Sequence, residues 1–156
     1  MNNFKFIALD HLEFGYLNDF SEQDLSKQDI IKMTVDKCPG FPCRITLEDA
    51  EVGEEVFLLN YNHQSANSPY KASGPIFIRR HQMTKDYQVN VVPKMFLHRL
   101  LSLRAYDENG MIRFSDVFKG NILKDKIEET FNDKNVVYLH IHNAKPGCFN
   151  CVVVKV

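Results

Sequence analysis

Two imidazoles and two thiols fall within twelve positions of one another near the end of the chain, in the stretch Val136–Val156 (VVYLHIHNAKPGCFNCVVVKV). The stretch alternates like a strand, breaks at Pro146-Gly147, and alternates again, which predicts a β-hairpin. On its first arm Tyr138, His140 and His142 share one face, while Val137, Leu139 and Ile141 share the other, which reads as core. A loop over Asn143 to Cys148 sets His142 opposite Phe149 and His140 opposite Cys151. A loop one residue shorter sets His142 opposite Cys148. Directly opposed side chains stand about 5 Å apart, so either register puts a thiol beside an imidazole.

Three chemistries use such a pair. A cysteine can be the nucleophile, with a histidine as the base that favours its thiolate. Histidines and cysteines together can bind zinc, and His-x-His on a strand with Cys-x-x-Cys in a turn is compatible with that. Or the thiols are simply buried and the histidines simply hydrogen-bonded. A second polar face lies upstream. Ser102, Arg104 and Tyr106 alternate with Leu101, Leu103 and Ala105. If the two strands share a sheet, Arg104, Tyr106, Tyr138, His140 and His142 line one surface. Arg44, Arg79 and Arg104 each lie at a strand end or on a polar face. Planar guanidinium groups there suit a carboxylate or phosphate, or pair with nearby acids such as Asp49.

The elements that must position these groups are short. Strands are predicted at Phe4–Leu9, Ile30–Val35, Arg44–Leu47, Val56–Tyr61 and Pro75–Arg80. Ser21 caps a short helix over 22–28. The Pro-rich loop 36–42 delivers Cys43 and Arg44, and a polar loop, 63–74, carries His63. A helix follows Pro93 over 94–100. Asn109-Gly110 closes a hairpin between 101–106 and 111–117. Leu123, Ile127 and Phe131 recur every four residues and predict a helix over 121–132. These add up to an α+β single domain: a largely antiparallel or mixed sheet of short strands with two or three helices.

The 156 residues, 44% apolar and 25% charged, suit one soluble domain with a real core. Nineteen basic residues against twenty acidic ones argue against a nucleic-acid partner bound by bulk charge. No apolar run is long enough for a membrane span, and residues 1–14 do not form a secretory signal. The expectation is a cytoplasmic protein whose cysteines are thiols, ligands or catalytic groups.

Several motifs recur in combination. They are Pro39-Gly40-Phe41-Pro42-Cys43-Arg44, Leu47–Glu54, Tyr61 with His63, Ser68-Pro69-Tyr70, Ser73–Phe77, Leu101–Asp107, His140–Ala144 and Gly147-Cys148. Together they resemble the Domain of Unknown Function 1203 family (DUF1203) of small bacterial proteins, over about residues 39–148. The resemblance implies a single-domain bacterial protein and no particular activity. Within the family's pattern fall Cys43, Arg44, His63, Arg104, His140, His142 and Cys148, whereas Cys38 and Cys151 look like additions in this chain.

The reading is a ligand or active site with Cys148, His140, His142 and His63 as catalytic candidates. Cys43, Arg44, Arg104 and Tyr106 are ligand-binding candidates, and the ligand is a small anion. No cofactor is specified. The alternatives are a metal-binding or redox-sensing module with a Cys43–Cys148 disulfide, and a structural or partner-binding domain.

Overall fold

A computed structural model describes all residues, 1–156. In chain order the elements are β1 (Phe4–Ile7), α1 (Glu22–Lys27), β2 (Ile31–Thr34), β3 (Pro42–Cys43), β4 (Glu48–Asp49), β5 (Glu55–Gln64), β6 (Ala72–Arg79), β7 (Leu100–Tyr106), β8 (Ile112–Lys119), α2 (Leu123–Thr130), β9 (Tyr138–Asn143) and β10 (Phe149–Lys155), with four 3-10 turns between them. The α+β class is as expected. The strands form two five-stranded sheets, ordered β1-β10-β9-β7-β8 and β2-β5-β6-β3-β4. The first is antiparallel throughout. The second is mixed, because β3 runs parallel to β6. No helix is long and apolar enough to cross a membrane.

The first sheet is built by alternation. Leu101, Leu103 and Ala105 of β7 and Leu139 and Ile141 of β9 face one way. Leu123 and Ile127 of α2, with Phe131 just beyond it, close over that face and are all buried. These are the four-residue steps that predicted the helix. The second sheet buries Phe57, Leu59, Ile76 and Ile78 beneath the N-terminal segment, where Phe14, Leu17 and Leu25 pack on them. Ser21 caps α1 as expected: its hydroxyl accepts from the Asp24 amide, and the Asp24 carboxylate accepts from the Ser21 amide.

Three expectations are corrected. The helix over 94–100 is a single 3-10 turn, Lys94–Phe96, without a side-chain cap. The chain enters β7 at Leu100, and β-pairing outcompetes further helical turns. The strand over 44–47 is instead a turn: Leu47 has φ 50° and its amide bonds back to the Cys43 carbonyl. The polar loop over 63–74 is shorter, because β5 continues to Gln64 and pairs across to Ala72. His63 is therefore a strand residue.

Gly120 directly follows β8 and packs against the 3-10 turn before β7. A Cβ there would lie 1.7 Å from the Phe96 carbonyl oxygen, a backbone atom that cannot swing aside. Gly120→Ala should lower unfolding stability by about 2–3 kcal/mol, as overpacking does. An unchanged urea midpoint would show that this crossing is looser than described.

Candidate functional site

β9 and β7 pair in register, with Arg104 opposite His140, Ser102 opposite His142 and Tyr106 opposite Tyr138. The polar faces that alternation predicted are thus one surface. Tyr106 stacks on Tyr138 at 5.1 Å between ring centres, and its ring lies 4.9 Å from that of His140. β5 of the other sheet adds His63, whose ring centre lies 5.1 Å from His142 and 6.1 Å from His140. Phe149 completes the group, stacked on His63 at 5.3 Å and edge-on to both other histidines. Gln64 donates to the Tyr138 hydroxyl at 3.0 Å and ties the sheets together at this point.

His140 and His142 are buried. His142 Nδ1 lies 3.0 Å from the Gly147 carbonyl, which can only accept. The proton is therefore on Nδ1, and Nε2 carries the lone pair. That Nε2, His140 Nδ1 and both nitrogens of His63 are buried without a protein partner. Burial pushes His140 down to about 3, helped by His63 and Arg104. Burial also pushes His142 to about 3, against the pull of its Gly147 bond. His63 is lowered by burial and then by Arg104. All three rings are neutral at pH 7. No group of three or more histidine, cysteine or carboxylate side chains is arranged to hold a metal ion.

Cys148 lies in the turn between β9 and β10. Its sulfur accepts from Arg44 Nη2 at 3.1 Å and from Asn143 Nδ2 at 3.4 Å. Arg44 is fully buried. Its Nε donates to the Phe149 carbonyl at 2.7 Å and its Nη1 to the Pro42 carbonyl. It makes no ion pair with a carboxylate. Burial pushes the guanidinium below its usual value, and Cys148 is the strongest influence pulling it back. Because guanidinium does not lose its proton in proteins, that burial is a cost, offset in part by the three acceptors its nitrogens reach.

The hairpin register is the expected one at His142, which faces Phe149. Beyond it the expectation fails. Asn150 is an extra residue, so Cys151 pairs with Ile141 and His140 with Val152. The bulge is held by a buried amide pair: Asn150 Nδ2 donates to Asn143 Oδ1 at 3.0 Å, with the reverse bond at 3.5 Å. Cys151 thereby points into the apolar core, and burial holds its thiol far above the usual range. Cys43 packs in the second core, where its sulfur accepts from the Arg79 amide at 3.3 Å. All four cysteines are free thiols.

The remaining arginines divide cleanly. Arg79 is clamped by Glu54 through two bonds of 2.6–2.7 Å, the ordinary ion pair. Arg104 has no ion pair or hydrogen-bond partner of that kind and lies close enough to lower all three histidines.

Cys148, Arg44 and Asn143 open into a cavity of about 1190 Å³. Its wall includes Lys37, His98, Arg99, Lys119 and Lys145 and not one carboxylate residue. Asp49, just behind the wall, pairs with Arg99, and one of its oxygens lies 3.3 Å from His98 Nε2. Burial alone would raise Asp49, but the Arg99 guanidinium beside it outweighs that and holds it low. The wall lysines and Asn143 were not legible as site residues in the sequence. Each is an isolated polar residue, and only the fold gathers them. The eight sequence candidates therefore separate. Cys148 and Arg44 reach the cavity, and His63, His140, His142, Tyr106 and Arg104 form the aromatic cluster behind it. Cys43 lies in the core.

A family model described as "Protein of unknown function (DUF1203)" matches residues 40–155. No curated protein and no solved structure matches the chain.

Proposed function

We propose that this chain, which belongs to the DUF1203 family, binds a small anionic molecule in the cavity over Cys148 and presents that cysteine to it as a thiolate nucleophile. The reading is carried by one observation: a wholly buried guanidinium, unpaired with any carboxylate, donates to the Cys148 sulfur at 3.1 Å. A cation beside a sulfur favours its charged, reactive form. The role given to a histidine base in the cysteine–histidine reading belongs here to Arg44. Asn143 donates a second hydrogen bond and helps fix the sulfur's direction.

The histidines act one step back. His142 holds the Gly147 carbonyl and so fixes the turn that carries Cys148. Phe149, packed among the three rings, offers its carbonyl to Arg44. His142 is a positioning residue in this scheme. The wall lysines supply attraction for an anion, and the Asp49 pairing leaves Lys37, Lys119 and Lys145 as its uncompensated charges. We place the protein in the bacterial cytoplasm, where a reducing medium keeps such a thiol free.

Competitive alkylation tests the reading. Trace iodoacetamide at pH 7, followed by peptide mapping, should modify Cys148 roughly ten times faster than the exposed Cys38, which has no cationic partner at its sulfur. Cys43 and Cys151 should stay unmodified in the folded protein. Equal labelling of Cys38 and Cys148, or faster labelling of Cys38, would refute the thiolate assignment.

A further inference from the structure

The cavity holds one sulfur, a cationic wall and room for a molecule larger than a simple ion. Its volume of about 1190 Å³ exceeds the roughly 300–1,000 Å³ of ordinary ligand pockets. Leu58, Phe77 and Pro146 give it an apolar side. Lys37, Lys119 and Lys145 are exposed, and none of them takes part in an ion pair. No second thiol faces this space. Cys151 and Cys43 are committed to the two cores, and Cys38 is not part of the wall.

A thiolate without a partner thiol cannot close an internal disulfide. It can still exchange with a disulfide brought to it, and the product then has no second sulfur in the cavity wall to resolve it. We propose that Cys148 exchanges with low-molecular-weight disulfides bearing carboxylates and retains one half as a mixed disulfide, a proposal that rests on the thiolate reading above.

In the exchange the Cys148 thiolate attacks one sulfur of the incoming disulfide. A new S–S bond forms as the old one breaks, and the departing sulfur leaves with the electron pair as a thiolate. No net oxidant is needed beyond the disulfide itself. Free thiol in excess reverses the reaction by attacking the mixed disulfide. Carboxylates on the retained half lie among Lys119, Lys145 and Lys37, which lowers the cost of bringing an anion to the site and slows its loss. Arg44 contributes twice. It holds the attacking sulfur as an anion before exchange. After exchange its Nη2 donor is free of a thiolate and faces the adduct.

The test uses the full chain with three disulfides of matched reactivity class: oxidised glutathione (carboxylates on both halves), hydroxyethyl disulfide (neutral) and cystamine (cationic). Intact mass and peptide mapping follow each adduct at low salt and at 1 M salt. The expected result is a single adduct on Cys148, formed at least tenfold faster from oxidised glutathione than from cystamine. High salt should shrink that preference, as screening requires. The double variant Lys119→Glu/Lys145→Glu should reverse it. Iodoacetamide on the unmodified chain separates the two claims. Fast neutral alkylation of Cys148 without preference for the anionic disulfide overturns this inference and leaves the thiolate reading standing. Slow alkylation brings down both. An adduct found on Cys38 instead of Cys148 also overturns the inference.

Discussion

Lowering the pH from 7 to 5 should cost the fold about 2 kcal/mol for each of His140 and His142. Both rings titrate at about 3 in the folded protein, against about 6.5 in an unfolded chain. Their folded values are depressed, so the unfolded chain binds the protons first. The stability they contribute is complete above pH 6.5 and is lost progressively as the pH falls toward 3. Burial is the leading cause for both rings, and Arg104 adds to it from the neighbouring strand. Asp49 and Glu54, whose carboxyls are held low by Arg99 and Arg79, lose their contribution only below the ordinary carboxylate range. The window between pH 6.5 and 5 therefore belongs to the histidines. Urea unfolding at half-unit pH steps measures it. The slope of stability against pH near 5.5 should fall by close to one proton in His140→Gln. A slope unchanged by that substitution would mean that the ring is solvated and protonates in place.

Replacing Arg44 with alanine should cost about 3–5 kcal/mol. The side chain satisfies the carbonyls of Pro42 and Phe149, which lie on different elements and are left buried without a donor when it goes. A cavity remains where the largest of the fully buried side chains had been. Relief of the buried charge works in the opposite direction, but three hydrogen bonds already offset part of that charge, so the lost bonds and the void win. Arg44→Met fills most of the volume and should fold with a smaller loss, about 2 kcal/mol. It is the informative variant for function. Without the guanidinium, Cys148 should alkylate at pH 7 no faster than Cys38, and its rate should climb with pH in the manner of an ordinary thiol. Arg44→Lys keeps the charge but cannot serve two carbonyls and a sulfur from a planar fork, so it should recover part of the rate and little of the stability. Fast labelling of Cys148 in Arg44→Met would show that the sulfur owes its reactivity to something else.

Both predictions concern groups whose types were evident in the chain and whose partners were not. Alternation over 101–106 and 138–142 was enough to put Arg104, Tyr106, Tyr138, His140 and His142 on common faces, because side chains in a strand alternate by geometry alone. The two hairpins, the capped helix at Ser21 and the four-residue apolar steps of α2 were legible for the same reason: each is set by neighbours a few residues apart. A polar composition hid the end of β5, and with it the strand position of His63, since loop-like residues are tolerated where a ladder continues by backbone bonds.

What the linear order determined, then, was which face each residue takes along its own strand. The tertiary structure decided which faces meet. One extra residue, Asn150, turned Cys151 from the histidine face into the core, and it is stabilised by an amide pair that no periodicity announces. The contacts of Arg44 with Cys148 and with Phe149 span 104 and 105 residues. Their geometry depends on how two sheets pack, and that is settled by the burial of apolar surface across the whole domain rather than by any local pattern.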